Sequence, residues 1–191
     1  MEMTLARRTD ERYTYADFCT WDDDKRWELI DGIAYALASP LLAHQSVSSR
    51  LLGQLFAFLR DKPCKVFAAP LSVRLNADSA DDTVLQPDIV VVCDRSKLDK
   101  KGIVGAPDMV IEILSPSTAR RDKFEKLRIY ENAGVREYWI VDPDSKTAQV
   151  HILRDGVFDF NIYGDTAPVH VLDGCRIALD DVFADVEISE E

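Results

Sequence analysis

Two acids and one lysine within residues 84–130 are of the types and in the settings that metal-assisted hydrolysis of a phosphodiester requires. Asp88 opens the apolar run after Gln86-Pro87, Glu112 interrupts the run 109–114, and Lys126 follows on a helix expected between Ser117 and about Ala133. Asp88 and Glu112 would hold Mg²⁺ (or Mn²⁺) together with several waters, the incomplete oxygen shell that Mg²⁺ takes beside a phosphate. Such an ion polarises the phosphate and lowers the pKa of a bound water. Lys126 would orient that water or offset the charge that develops in the transition state. Arg120, Arg121 and Lys123, at the start of the same helix, would meet flanking phosphates, with backbone amides assisting.

The elements that must position these residues are legible from pattern. Pro87 suits a strand start because it donates no ladder hydrogen bond. Period-two alternation puts Glu112 on the face of Val110 and Leu114, where a buried carboxylate has to be paired or bind a cation. At about 100° per residue, Lys126 shares a face with Ile129, Tyr130 and Ala133, whereas Glu125 and Arg128 point away. Asp122 is placed for an i,i+4 pair with Lys126, and Lys123 is the alternative lysine. Structural roles account for each residue singly. Asp88 would then be a plain strand-start acid, Glu112 the partner of an arginine, and Lys126 a stem covering the core.

Around this stretch, residues 14–18 read as a short helix capped by Thr14. Two apolar runs, 27–30 and 33–37, flank Asp31-Gly32 and predict a hairpin. Glu28 lies inside it, expected on the solvent side, with a pocket as the alternative. Ser39-Pro40 predicts the start of an amphipathic helix to Arg60, with His44 near its beginning. A strand is expected over 64–75, an acidic loop over 76–83, and central strands over 84–93 and 109–114, covered on both faces. Gly134 marks a helix end. Further strands are expected at 137–142, 147–153, 157–163 and 169–172, with 180–186 closing the chain and 1–13 a loose arm. The order of elements predicts one domain of α/β (α+β) class, a mixed central β-sheet flanked by helices with extra C-terminal strands.

The 191 residues suffice for one sizeable core. Apolar stretches stop short of the roughly 18 residues of a membrane helix, and residues 1–13 hold no apolar signal core, which together predict a cytoplasmic protein. The four cysteines, Cys19, Cys64, Cys93 and Cys175, form no CxxC pair and are expected as reduced, mostly buried thiols. A net charge of −11 opposes simple adsorption to nucleic acid. No GxGxxG, GxxxxGK[ST] or HExxH occurs, so no such nucleotide or zinc site is indicated.

The segments ELIDG (28–32), His44, QPDIVVV (86–92), APDMVIEILSPST (106–118), DKFEK (122–126) and YENAGVREYWIVDP (130–143) resemble the Uma-type restriction endonuclease family, within the PD-(D/E)XK nuclease superfamily. The resemblance spans about 27–153. It implies a restriction-endonuclease-like core, Asp88 and Glu112 as metal ligands, DNA as partner and a homodimer. The superfamily's lysine stands two residues beyond the second acid, where this chain has Leu114; the family places it in the downstream helix, at Lys126. Glu28 is then a third acid of the metal pocket, and His44 and Gln86 are further site candidates. A catalytically idle module binding nucleic acid or protein is the alternative on this fold, and an RNA nuclease or another phosphodiesterase a third reading.

Overall fold

The computed structural model describes residues 11–22 and 25–184. Of the expected arm, 1–10 lie outside these residues, but Arg12 donates to the Asp31 carbonyl and the Tyr13 amide to the Gly32 carbonyl, so 12 and 13 are fastened to the hairpin. Helix α1 (Tyr15–Phe18) carries the capping box of Thr14 and Asp17. Strands β1 (Arg26–Ile30) and β2 (Ile33–Leu37) form the hairpin, with Asp31 and Gly32 at φ 48° and 76°. Left-handed backbone at both central positions is what a two-residue hairpin turn demands.

Helix α2 spans Leu42–Leu59 and buries Val47, Leu51, Leu55 and Leu59 at intervals of four. Its start lies beyond the predicted Ser39-Pro40; Leu41, at the N-cap position, is extended and makes no side-chain cap. The expected strand 64–75 is two strands, β3 (Lys65–Ala68) and β4 (Ser72–Arg74), parted at Pro70. The expected strand 84–93 is likewise divided at Pro87 into β5 (Val84–Leu85) and β6 (Ile89–Val92). A proline cannot donate to a central ladder, so at each the chain leaves one sheet for another. Strands β7 (Leu98–Asp99), β8 (Gly102–Val104) and β9 (Met109–Ile113) follow. Gly102 is required where β8 meets β4, because a Cβ there would collide with the Ser72 carbonyl oxygen.

From β9 the chain passes through a π-helical segment, Arg121–Lys126, into α3 (Leu127–Ala133) and returns as β10 (Glu137–Asp142), parallel to β9. Gly134, at φ 84°, ends α3 in the left-handed conformation that its position predicted. Strands β11 (Thr147–Arg154) and β12 (Val157–Tyr163) continue antiparallel. The expected strand at 169–172 is a turn. It lies between β13 (Thr166–Pro168) and β14 (Arg176–Ala178), which pair with each other. Helix α4 (Leu179–Val182) follows, and the rest of the predicted closing segment, from 185, lies outside the described residues.

Two mixed six-stranded sheets result, ordered β2-β1-β5-β4-β8-β7 and β12-β11-β10-β9-β6-β3. The second is the mixed central sheet of the predicted α+β class. One face, with Ile89, Val91, Ile111 and Trp139, packs on α2 and the C-terminal segment. The other, with Val90, Val110 and Ile140, packs on α3 and on Val73, Leu85 and Ile103 of the first sheet. Burial on both faces explains why β6 and β9 lack polar alternation. Cys64 and Cys93 are joined in a disulfide beside the β3–β6 pair, whereas the thiols of Cys19 and Cys175 are free, the former exposed. The expectation of four reduced, mostly buried thiols is thereby corrected: sequence spacing hid the antiparallel pairing that sets residues 64 and 93 side by side. No described helix is long and apolar enough to cross a membrane.

Candidate active site

Strand register brings the two acids together. Strands β6 and β9 run antiparallel and their ladder ends with Ile89 opposite Ile111, so Asp88 and Glu112 are the next residues beyond that last pair. Alternation turns both toward the face of Val90 and Val110, into the space between the sheets and the helix. Asp88 Oδ2 accepts the Ile113 amide at 2.8 Å and faces His44 Nε2, from the first turn of α2, at 3.1 Å.

Glu28 reaches the same space from β1 and is fully buried, which corrects the expectation that it faces solvent. Strand β1 lies between β2 and β5, so the hairpin is part of a sheet rather than a free ribbon. Glu28 Oε1 accepts the Gln86 amide at 2.9 Å and lies 3.0 Å from Lys126 Nζ, while Oε2 is buried without a partner. Gln86 serves through its backbone; its side-chain oxygen accepts from Arg26 at 3.1 Å.

The π-helical segment supplies the rest. Asp122 and Lys126, four residues apart, both turn inward and are buried. Lys126 Nζ stands 2.9 Å from Glu112 Oε1 and 3.4 Å from Asp122 Oδ1. Tyr130 donates to the same Glu112 oxygen at 2.8 Å, and the Tyr138 hydroxyl donates to the Asp122 carbonyl at 3.0 Å, tying the π-helical segment to β10. Residues 122, 126 and 130 therefore form one file at intervals of four. That spacing was visible in the sequence, but Tyr130 there counts as an apolar neighbour of the lysine rather than a donor.

Charge in this cluster is unequal, with four carboxylates around one lysine. Burial raises Glu112 well above the ordinary carboxylate range, against the pull of Lys126 and with help from Asp122, Asp88 and Glu28. Burial raises Asp122 as well, again opposed by Lys126. Burial by itself would lower Lys126, but Glu112, Glu28 and Asp122 outweigh it and hold the ammonium well above its usual value. Tyr130, raised by burial and by Glu112, remains a neutral donor.

A cavity of about 430 Å³ opens onto Glu28, His44, Gln86, Asp88, Glu112 and Lys126. No three His, Cys, Asp or Glu side chains among the described residues converge as a ready metal cage. The donors are carboxylate oxygens in excess of positive charge, with one buried oxygen of Glu28 unpartnered. Such a set fits a hard cation held by two protein carboxylates and completed by water. Arg120, Arg121 and Lys123 do not line the cavity. Arg120 is exposed, Arg121 stacks on the Tyr35 ring at 4.1 Å, and Lys123 lies 3.8 Å from Asp142.

The chain is similar to the uncharacterized protein slr1290 of Synechocystis sp. (strain ATCC 27184 / PCC 6803 / Kazusa), with 27% identity over 142 residues covering 73% of each chain. Its fold is that of the crystal structure of "a putative nuclease belonging to DUF820" from Anabaena variabilis ATCC 29413, with a TM-score of 0.73 at 20% identity over 90% of this chain and 98% of that one. The Uma2 family, described as "Putative restriction endonuclease", matches residues 14–180. The family supports a nuclease function, the structural likeness shows the fold, and the chain belongs to the Uma2 family.

Proposed function

We propose that the protein is a Mg²⁺- or Mn²⁺-dependent DNA endonuclease acting through Asp88, Glu112 and Lys126. The observation that carries this reading is the convergence of Asp88 and Glu112, from adjacent antiparallel strands, on one cavity with a lysine 2.9 Å from Glu112. Asp88 and Glu112 would hold the ion; bound there, it would supply Lewis-acid polarisation of the phosphate and a more acidic water. His44 and the Ile113 amide fix the orientation of Asp88. Lys126 and Tyr130 both address Glu112 Oε1, which leaves Oε2 for a ligand. Lys126, held between three acids, stays charged and stabilises negative charge at the cavity floor.

Titration of Mg²⁺ and Mn²⁺ into the parent and Asp88→Asn proteins, with nicking of plasmid and of its denatured single strands in the same buffers, tests the proposal. Binding and nicking in the parent, both lost in the variant, are expected. Cutting both strands of a duplex would take a homodimer, and sedimentation with and without DNA reads whether two copies pair.

A non-catalytic binding module is the second reading. It is favoured by one observation: Lys126 is enclosed by carboxylates and only 4% exposed, the arrangement of a structural ion cluster. Metal binding without any cleavage is its signature.

A further inference from the structure

We propose that the strand this site accepts is unpaired, single-stranded DNA rather than intact duplex. The inference rests on the metal-dependent nuclease reading and names its substrate. The reactive cluster is recessed: Glu112 and Lys126 are each 4% exposed, and the side chain of Asp88 is 18% exposed. A phosphate must descend into a cavity of about 430 Å³, the size of a small-ligand pocket. A paired strand is held in helical geometry by its partner, so the neighbouring phosphates and the second strand meet the rim before any one phosphate can reach the recessed cluster. An unpaired strand turns about its own backbone and presents one phosphate at a time.

Charge points the same way. The cationic residues lining the cavity are Arg26, which gives one donor to the neutral Gln86 side chain, and Lys126, which is paired with three carboxylates. Duplex affinity comes from neutralising many phosphates; a lining with two cations, one of them already ion-paired, in a chain of net charge −11, does not provide that.

What the cavity mouth offers instead is apolar surface and neutral donors. Leu41, in its lining, is 62% exposed, and Leu42 beside it is 86% exposed. Ser39, Ser115 and Ser117 supply hydroxyls. Bases out of the stack can pack their faces against apolar side chains, whereas a duplex presents sugar and phosphate. Hydrolysis is the same on either form: a water oxygen bonds to phosphorus and one P–O ester bond breaks. The released sugar oxygen takes a proton, and a phosphomonoester and an alcohol remain.

The test offers one oligonucleotide sequence as a single strand, as a duplex, and as a duplex with an unpaired tail, in Mg²⁺ and in Mn²⁺. Cleavage is expected in the unpaired segments at least about tenfold faster than in duplex. Between about 50 and 200 mM salt the rate should fall no more than about sevenfold, as two phosphate contacts to a single strand would give. Duplex cleaved as fast as the single strand, or a fall of about a thousandfold over that range, overturns the inference and leaves the nuclease reading intact. An RNA strand cleaved in preference to DNA overturns it too. No cleavage of any form overturns the nuclease reading, and the inference with it. The double variant Leu41→Ser, Leu42→Ser should raise KM on the single strand and erase the parent's preference over an abasic strand. A preference retained in the variant overturns the base contact at the rim.

Discussion

The ammonium of Lys126 stands 2.9 Å from Oε1 of Glu112, with each side chain only 5% exposed. Neither charge would be stable there by itself, because a buried ion stripped of its partner forfeits solvation without recompense. Lys126→Met, which keeps the stem and deletes the charge, leaves Glu28, Glu112 and Asp122 unbalanced. Urea unfolding at neutral pH should show a loss of about 3–5 kcal/mol, recovered in part at acid pH as the carboxylates protonate. Any cleavage activity should fall further than the metal affinity does.

Asp88→Asn and Glu112→Gln remove a proposed ligand while keeping its shape. Both variants should fold, and Glu112→Gln should gain stability near neutral pH because it removes a carboxylate that burial, and then repulsion from Asp122, Asp88 and Glu28, disfavours. Calorimetric titration should find Mg²⁺ affinity reduced by at least about tenfold, and nicking should be absent. Parent-like cleavage by either variant would falsify the ligand assignment.

Tyr130→Phe deletes one of the two donors to Glu112 Oε1 and leaves the ring in place. Loss of a buried hydrogen bond to an acid costs about 1–3 kcal/mol, readable as a shift in the denaturant midpoint. A second readout separates positioning from plain stability: with Glu112 held by Lys126 alone, Mg²⁺ affinity should drop even at temperatures where the variant is fully folded.

Stability should fall as pH rises from the ordinary carboxylate range toward neutrality. Glu112 and Asp122 bind protons more tightly in the folded chain than in the unfolded one. Their protonated forms thus contribute stability that is complete below the unfolded carboxylate pKa and lost as pH climbs through the raised folded values. Lys126, also raised, adds stability that is complete below its ordinary value and is lost only in strong alkali. Melting temperatures from about pH 4 to 8 should show this slope in the parent and a shallower one in Glu112→Gln.

Thiol labelling of unfolded, unreduced protein should modify Cys19 and Cys175 alone, and all four cysteines after reduction. Closing a chain segment of 29 residues stabilises by about 3–4 kcal/mol in the loop-entropy account. Reductant should lower the unfolding midpoint accordingly, and four reactive thiols without reductant would contradict the pairing.

Local pattern determined a good part of this protein. The hairpin at Asp31-Gly32, the cap at Thr14, the helix end at Gly134 and the buried runs around Asp88 and Glu112 all follow from turn chemistry and side-chain period, which act over a few residues. So does the inward face of Lys126, although that segment is π-helical rather than α-helical. Tertiary structure decided what each face would meet. The breaks at Pro70 and Pro87 divided two expected strands between two sheets, and that division carried Glu28 of β1 into the pocket of Asp88, just before β6. The same packing placed Tyr130 on Glu112, Arg121 on Tyr35 and Cys64 against Cys93. Periodicity fixes the direction in which a side chain leaves its element; its partner depends on register and on how sheets and helix stack, and those are set by contacts between residues far apart in sequence.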